Sequence, residues 1–162
     1  GVAAYPDHPT ASERVEFFKK KIDAGAEYAI TQMLFDPDSY SRFLDETAGA
    51  GCRVPVLPGT RLLKSQTQAR KMAARFAIPM PKWYLEMLPE TDAQASLNQS
   101  IDSFLMLLEK LRSRGAPGVH IFVLFDTEIA EQAVRRVRES GLLKLAAESG
   151  SAHSKMRTSE LR

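Results

Sequence analysis

A chain of 162 residues with 44% hydrophobic and 26% charged side chains has the composition of a folded globular domain, which excludes disorder over its whole length. Its 22 basic and 20 acidic residues nearly cancel, and a formal charge of +2 gives no electrostatic basis for binding nucleic acid or an anionic membrane. The expected partner is a small molecule or another protein.

The chain opens at Gly1 and runs straight into Gly1-Val2-Ala3-Ala4-Tyr5, which reads as a strand feeding a loop and as the continuation of a longer or processed polypeptide. Pro6 and Pro9 stop the strand, and Thr10-Ala11-Ser12-Glu13 has capping-box spacing, so a helix is expected from Ala11. Val15, Phe18, Ile22 and Ala26 form its inward stripe, and Gly25 marks its end.

Ala29 to Asp36 is an apolar run of strand length interrupted by one uncharged amide, Gln32. Gln32 lies toward the carboxyl end of that strand, where parallel sheets gather ligand-binding groups, although an amide there can equally bond a neighbouring loop. A helix follows from Pro37, with Tyr40, Phe43, Leu44 and Ala48 as its buried stripe. The single Cys52 has no internal disulfide partner and reads as a buried thiol in a reducing compartment, so a cytoplasmic location is expected. Val54 to Gly59 reads as a third strand that Pro58-Gly59 ends by forcing a loop.

From Ser65, the positions Gln68, Ala69, Met72, Ala73 and Phe76 predict another amphipathic helix, followed by a short one around Trp83 to Leu88. Thr91-Asp92 caps a long helical stretch to about Arg114, with Ile101, Phe104, Leu105, Leu108 and Leu111 as its stripe. Val119 to Phe125 reads as a strand covered on both faces, and Asp126-Thr127 caps a last helix through Ile129, Ala133 and Val137. Residues 1–142 therefore read as one unit and 143–162 as a polar, flexible tail. No apolar run reaches the roughly 18 residues a membrane helix needs.

The order is βα four times with extra helices in the third unit, which suits either a small open α/β sheet or half of an eight-stranded barrel.

Gly1-Val2-Ala3-Ala4-Tyr5-Pro6 with His8-Pro9, Lys21 to Ala26, Ile30-Thr31-Gln32 with Phe35-Asp36, Pro58-Gly59 and Gly118-Val119-His120 stand in an order and spacing that resembles the flavin-dependent methylenetetrahydrofolate reductases, over residues 1 to about 140. The resemblance implies the second half, strands five to eight, of a (β/α)8 TIM barrel. It further implies FAD across the strands' carboxyl ends, NADH or NADPH as reductant, a folate substrate, and an N-terminal half-barrel or a homo-oligomer to complete the fold. Matched residue by residue, Tyr5, His8, Ala11 and Lys21 fall at flavin-contacting positions, and Gln32 and Gln68 at folate-binding ones. An amide suits a pterin edge because it offers both a donor and an acceptor. Met72 falls where the family places an aromatic against the ligand, and its own chemistry points to a core role.

Several positions depart from that pattern. Arg14 and Phe17 stand where the family commonly has Asp and Asn for FAD, the His8 to Lys21 segment is short, and Asp126 replaces a basic residue after the last strand. The family's proton-donating glutamate belongs to the first half, so the resemblance implies that this chain alone carries no catalytic residue. The alternative is a non-catalytic half-barrel serving as a scaffold or regulatory homologue.

Overall fold

Four parallel strands form the sheet of the computed structural model, which describes residues 1–91, 96–123 and 127–142. They are β1 (Val2–Ala4), β2 (Ala29–Met33), β3 (Val56–Thr60) and β4 (His120–Ile121), paired in the order β1-β2-β3-β4. Helices α1 (Ala11–Asp23) and α2 (Pro37–Gly49) fill the first two crossovers. The third holds α3 (Gln66–Phe76), α4 (Lys82–Met87) and α5 (Leu97–Ser113), and α6 (Thr127–Glu139) follows β4.

Local chemistry accounts for most boundaries. The Asp36 carboxylate caps α2 by accepting from the Asp38 N–H at 3.1 Å and from Ser39 Oγ at 3.0 Å, and Pro37 sits at the first turn where its missing N–H costs nothing. Ser65 caps α3 by accepting from the Gln68 N–H at 3.2 Å. The capping box expected at Thr10 does not form: its side chain makes no cap bond, and its N–H donates to His8 Nδ1 at 3.3 Å instead. In the α2 stripe Ala48 proves exposed and Thr47 buried, its hydroxyl satisfied by the Phe43 carbonyl at 2.8 Å. The expected 119–125 strand reduces to His120–Ile121, with residues 124–126, Asp126 among them, outside the described residues. The tail at 143–162 also lies outside them.

The register divides the sheet into two unlike faces. Ala29 pairs with Val2 and Val56, all on the side where Ala29 and Val56 are buried against helices. Ile30 pairs with Ala3 and Leu57 on the other side, where Ala3 is exposed and Ile30 and Leu57 are half-buried. Sequence alone suggests Ile30, Val56 and Ile121 for the less covered face; only Ile30 is there. Val56 is a core residue of the helix side, and Ile121 packs on the cluster between α5 and α6. Because side chains alternate strictly along a strand, one residue of phase exchanges the faces.

Pro58 and Gly59, expected to end β3, lie inside it. A proline in an interior strand removes a ladder donor, and β2 answers with one extra residue. Ile30 pairs with Leu57 and Met33 with Gly59, so Thr31 and Gln32 together stand opposite Pro58. A Cβ on Gly59 would collide with the Thr31 carbonyl oxygen and the Phe122 ring, so glycine is the residue that fits between the bulged strand and the β4 side.

The main core lies under β1 to β3 and includes Phe18, Phe35, Tyr40, Phe43, Leu63 and Tyr84. Tyr40 ties α2 to β3 by donating its hydroxyl to the Val56 carbonyl at 2.8 Å, and burial pushes its pKa up to about 12. A second cluster, Leu62, Ile101, Phe104, Leu108, Ala133 and Val137, joins α5 to α6.

Candidate functional site at the carboxyl ends of the strands

Parallel strands that share one direction bring their βα loops to one rim. Tyr5 directly follows β1, His8 lies in the loop to α1, Gln32 is the next-to-last residue of β2, and Gln68 is in the first turn after the loop from β3.

Tyr5, His8 and Lys21 line one narrow cleft together with Ala3, Arg14 and Phe17. Lys21 reaches it from the last turn of α1: its ammonium donates to the Ala3 carbonyl at 2.7 Å and stands 5.1 Å from the centre of the Tyr5 ring. Val2 donates its N–H to the Tyr28 carbonyl, so the polar groups of Ala3, the next residue, point to the free side of β1. Tyr5 and Phe17 are 49% and 53% exposed, two aromatic surfaces each with a lysine ammonium beside it, Lys21 at Tyr5 and Lys20 at Phe17. Ala11 opens α1 as an exposed residue and does not line the cleft.

The two amides differ. Gln32 is exposed, and its side chain makes no hydrogen bond to any described residue. Gln68 Oε1 accepts from the Lys64 N–H at 2.7 Å, which fixes the β3–α3 loop and leaves its NH2 group to donate. Met72, 8% exposed, is part of the main core.

Arg14 is locked. Its Nε and one terminal nitrogen donate to the two Glu46 carboxylate oxygens at 2.7 and 2.5 Å, and its other terminal nitrogen donates to the His8 carbonyl at 2.8 Å. This bidentate pair holds the β1–α1 loop against α2 and keeps the Glu46 carboxyl below its ordinary range. A group not singled out from sequence is Asp7. Burial raises its pKa, and the Asp36 carboxylate pushes the same way against a Ser39 hydrogen bond and the Arg42 and Arg14 charges. Its Oδ1 is buried without a partner. Its place between Tyr5-Pro6 and His8-Pro9 was the available signal. Among the described residues no cluster of His, Cys, Asp or Glu could hold a metal ion, and no helix is long and apolar enough to cross a membrane.

Comparison with known proteins bears on what this rim serves. The family model described as methylenetetrahydrofolate reductase matches residues 1–138. The chain belongs to the methylenetetrahydrofolate reductase family. It is 35% identical over 135 residues to the 5,10-methylenetetrahydrofolate reductase of Escherichia coli (strain K12), covering 80% of this chain and 46% of that protein. It is also 26% identical over 150 residues to methylenetetrahydrofolate reductase 1 of Schizosaccharomyces pombe, covering 88% of this chain and 24% of that protein. The chain thus spans about half the length of the bacterial reductase it matches. Among solved structures, an uncharacterized protein from Clostridium thermocellum that binds two copies of 5-methyl-5,6,7,8-tetrahydrofolic acid superposes with a TM-score of 0.53 at 19% identity, over 85% of this chain and 52% of that one. That likeness concerns the fold: parallel strands with helices packed on them.

Proposed function

We propose that this chain forms the carboxyl-terminal half, strands five to eight, of the (β/α)8 barrel of a reductase that converts 5,10-methylenetetrahydrofolate to 5-methyltetrahydrofolate with NADH or NADPH through bound FAD. The observation that carries the reading is Gln32: an exposed amide without a hydrogen-bond partner among the described residues, held at the carboxyl rim of a parallel sheet in a chain of this family. The relatives' reductase names and the folate-binding structural neighbour support a folate as the ligand.

In this reading Gln32 donates to and accepts from the pterin edge, and Gln68 adds a donor through its NH2 group while its oxygen stays on Lys64 N–H. In this reading the residues around the cleft, itself only about 30 Å³, and Ala11 outside it contact part of a flavin nucleotide lying over them. Lys21 offers charge to a phosphate, Tyr5 and Phe17 offer flat apolar surface, His8 shapes the loop, and Ala11 at the start of α1 leaves space for close approach. FAD, when bound, carries reducing equivalents from the nicotinamide to the folate. The residues of this half bind and orient, and the proton donor is assigned to the other half of the barrel.

A second reading, a non-catalytic half-barrel homologue, draws on Arg14 and Phe17. Arg14 is committed to Glu46, and Phe17 brings a hydrocarbon ring where the family offers an amide. The two readings part on colour and turnover. The complete polypeptide or the reconstituted halves should purify yellow, reduce methylenetetrahydrofolate with a nicotinamide, and lose affinity for 5-methyltetrahydrofolate about ten-fold in Gln32→Ala. A colourless, inactive assembly supports the scaffold reading. Unchanged folate affinity in Gln32→Ala overturns the site assignment.

A further inference from the structure

Gln32 presents its amide because of how β2 is built at the residue before it, and this inference rests on the folate reading just given. Two residues of β2, Thr31 and Gln32, face the single residue Pro58 of β3. Pro58 has no N–H, so β3 lacks one ladder donor there. The next donor, the Gly59 N–H, bonds to the Thr31 hydroxyl oxygen at 2.8 Å, so a side chain occupies the place of a backbone acceptor. The same hydroxyl donates its own proton to the Gln32 carbonyl at 2.7 Å. Thr31 is 1% exposed and its bond from the Gly59 N–H is buried away from competing water, while its bond to the Gln32 carbonyl is partly buried. Its hydroxyl is therefore a clamp: one bond fixes β3 and the other fixes the peptide that sets the direction of the Gln32 side chain. Gly59 completes the clamp by letting the Thr31 carbonyl lie against its Cα.

We infer that Thr31 is a positioning residue for folate binding, acting through Gln32 by holding the β2 bulge opposite Pro58. It touches no ligand itself. Valine at 31 keeps the branched shape and loses both bonds, whereas serine keeps the hydroxyl.

The test measures 5-methyltetrahydrofolate affinity and melting temperature on the complete polypeptide carrying Thr31→Val, Thr31→Ser, Gln32→Ala and Thr31→Val/Gln32→Ala. Thr31→Val should weaken binding about five- to ten-fold, Thr31→Ser should retain wild-type affinity, and the double variant should bind no more weakly than Gln32→Ala alone. Losses that multiply in the double variant, or a Thr31→Val that lowers the melting temperature while affinity holds, reduce Thr31 to a structural residue and overturn the inference. If Thr31→Val fails to fold, Thr31→Ser decides: a five-fold or greater loss of affinity in that folded variant overturns the role assigned to the hydroxyl, and wild-type affinity supports it. Unchanged affinity in Gln32→Ala overturns the folate reading itself, a result distinguishable from the failure of Thr31 alone.

Discussion

At the scale of single residues, the Arg14–Glu46 pair determines how firmly the β1–α1 loop is held. The guanidinium side chain is 8% exposed and the carboxylate 26%, so water screens the pair incompletely, and both Glu46 oxygens are used. Removing the charge leaves a largely buried cation with weaker acceptors, and Glu46→Gln should cost about 1–2 kcal/mol at pH 7. The pH dependence has a definite sign. Because Arg14 lowers the Glu46 pKa in the folded chain, its contribution is fully present above the ordinary value of 4.5 and is lost as pH falls through the lowered one. Asp7 runs oppositely: burial raises its pKa above 3.8, so its penalty is greatest at neutral pH and eases as the carboxyl protonates. Urea melts of wild type and Glu46→Gln between pH 7 and pH 3 should show a difference that shrinks below about pH 4.5. A difference constant across that range contradicts the pairing argument.

At the scale of elements, β1 is an edge strand with a guard. Lys21 donates to the outward Ala3 carbonyl, so the edge is shielded while the chain stands alone, and any strand that pairs there, one from the other half of a barrel included, must first displace its ammonium. Lys21→Met should therefore increase self-association, seen in sedimentation velocity as a larger fraction of fast species at equal concentration; an unchanged distribution denies the guarding role. The elements also show what a sequence can disclose. The α2 start was legible in Asp36-Pro37, because a cap is a local bond, and the α3 start in Ser65 for the same reason. The faces of Val56 and Ile121 were not, because they depend on register with strands distant in sequence. Pro58 reads as a strand end until the extra residue in β2 is known. For the candidate site, Tyr5, His8 and Lys21 line one cleft that the sequence did not disclose, and the Gln68 bond to Lys64 and the lock on Arg14 likewise show only in the structure. Resemblance supplied their suggested roles, which geometry does not assign.

At the scale of the whole molecule, the sheet is covered unequally. Helices bury one face, and Ala3, Ile30, Gln32 and Leu57 lie on a face with less cover, between two outer strands that each pair on one side among the described residues. Full burial of Ile30 and Leu57 would add on the order of 1–2 kcal/mol each, and pairing the outer strands would satisfy further backbone groups. The chain studied alone should accordingly dimerise or aggregate, or melt weakly until a complementary half is supplied. Analytical ultracentrifugation combined with thermal melting checks this. A dilute monomer with a sharp cooperative transition argues for a self-sufficient open sheet.

Helix α5 has a consequence for the order in which this molecule comes apart. Leu107 and Leu111 belong to the main core, whereas Ile101, Phe104 and Leu108 belong to the cluster that holds α6. The α6 side of that cluster consists of Ala133 and Val137, with Ile129 at its margin. Opening at this end breaks few apolar contacts and leaves α5 seated in the main core through Leu107 and Leu111. Helix α6 is thus a separate opening unit, able to exchange its amide protons with solvent while the strand-borne rim that carries Gln32 stays folded.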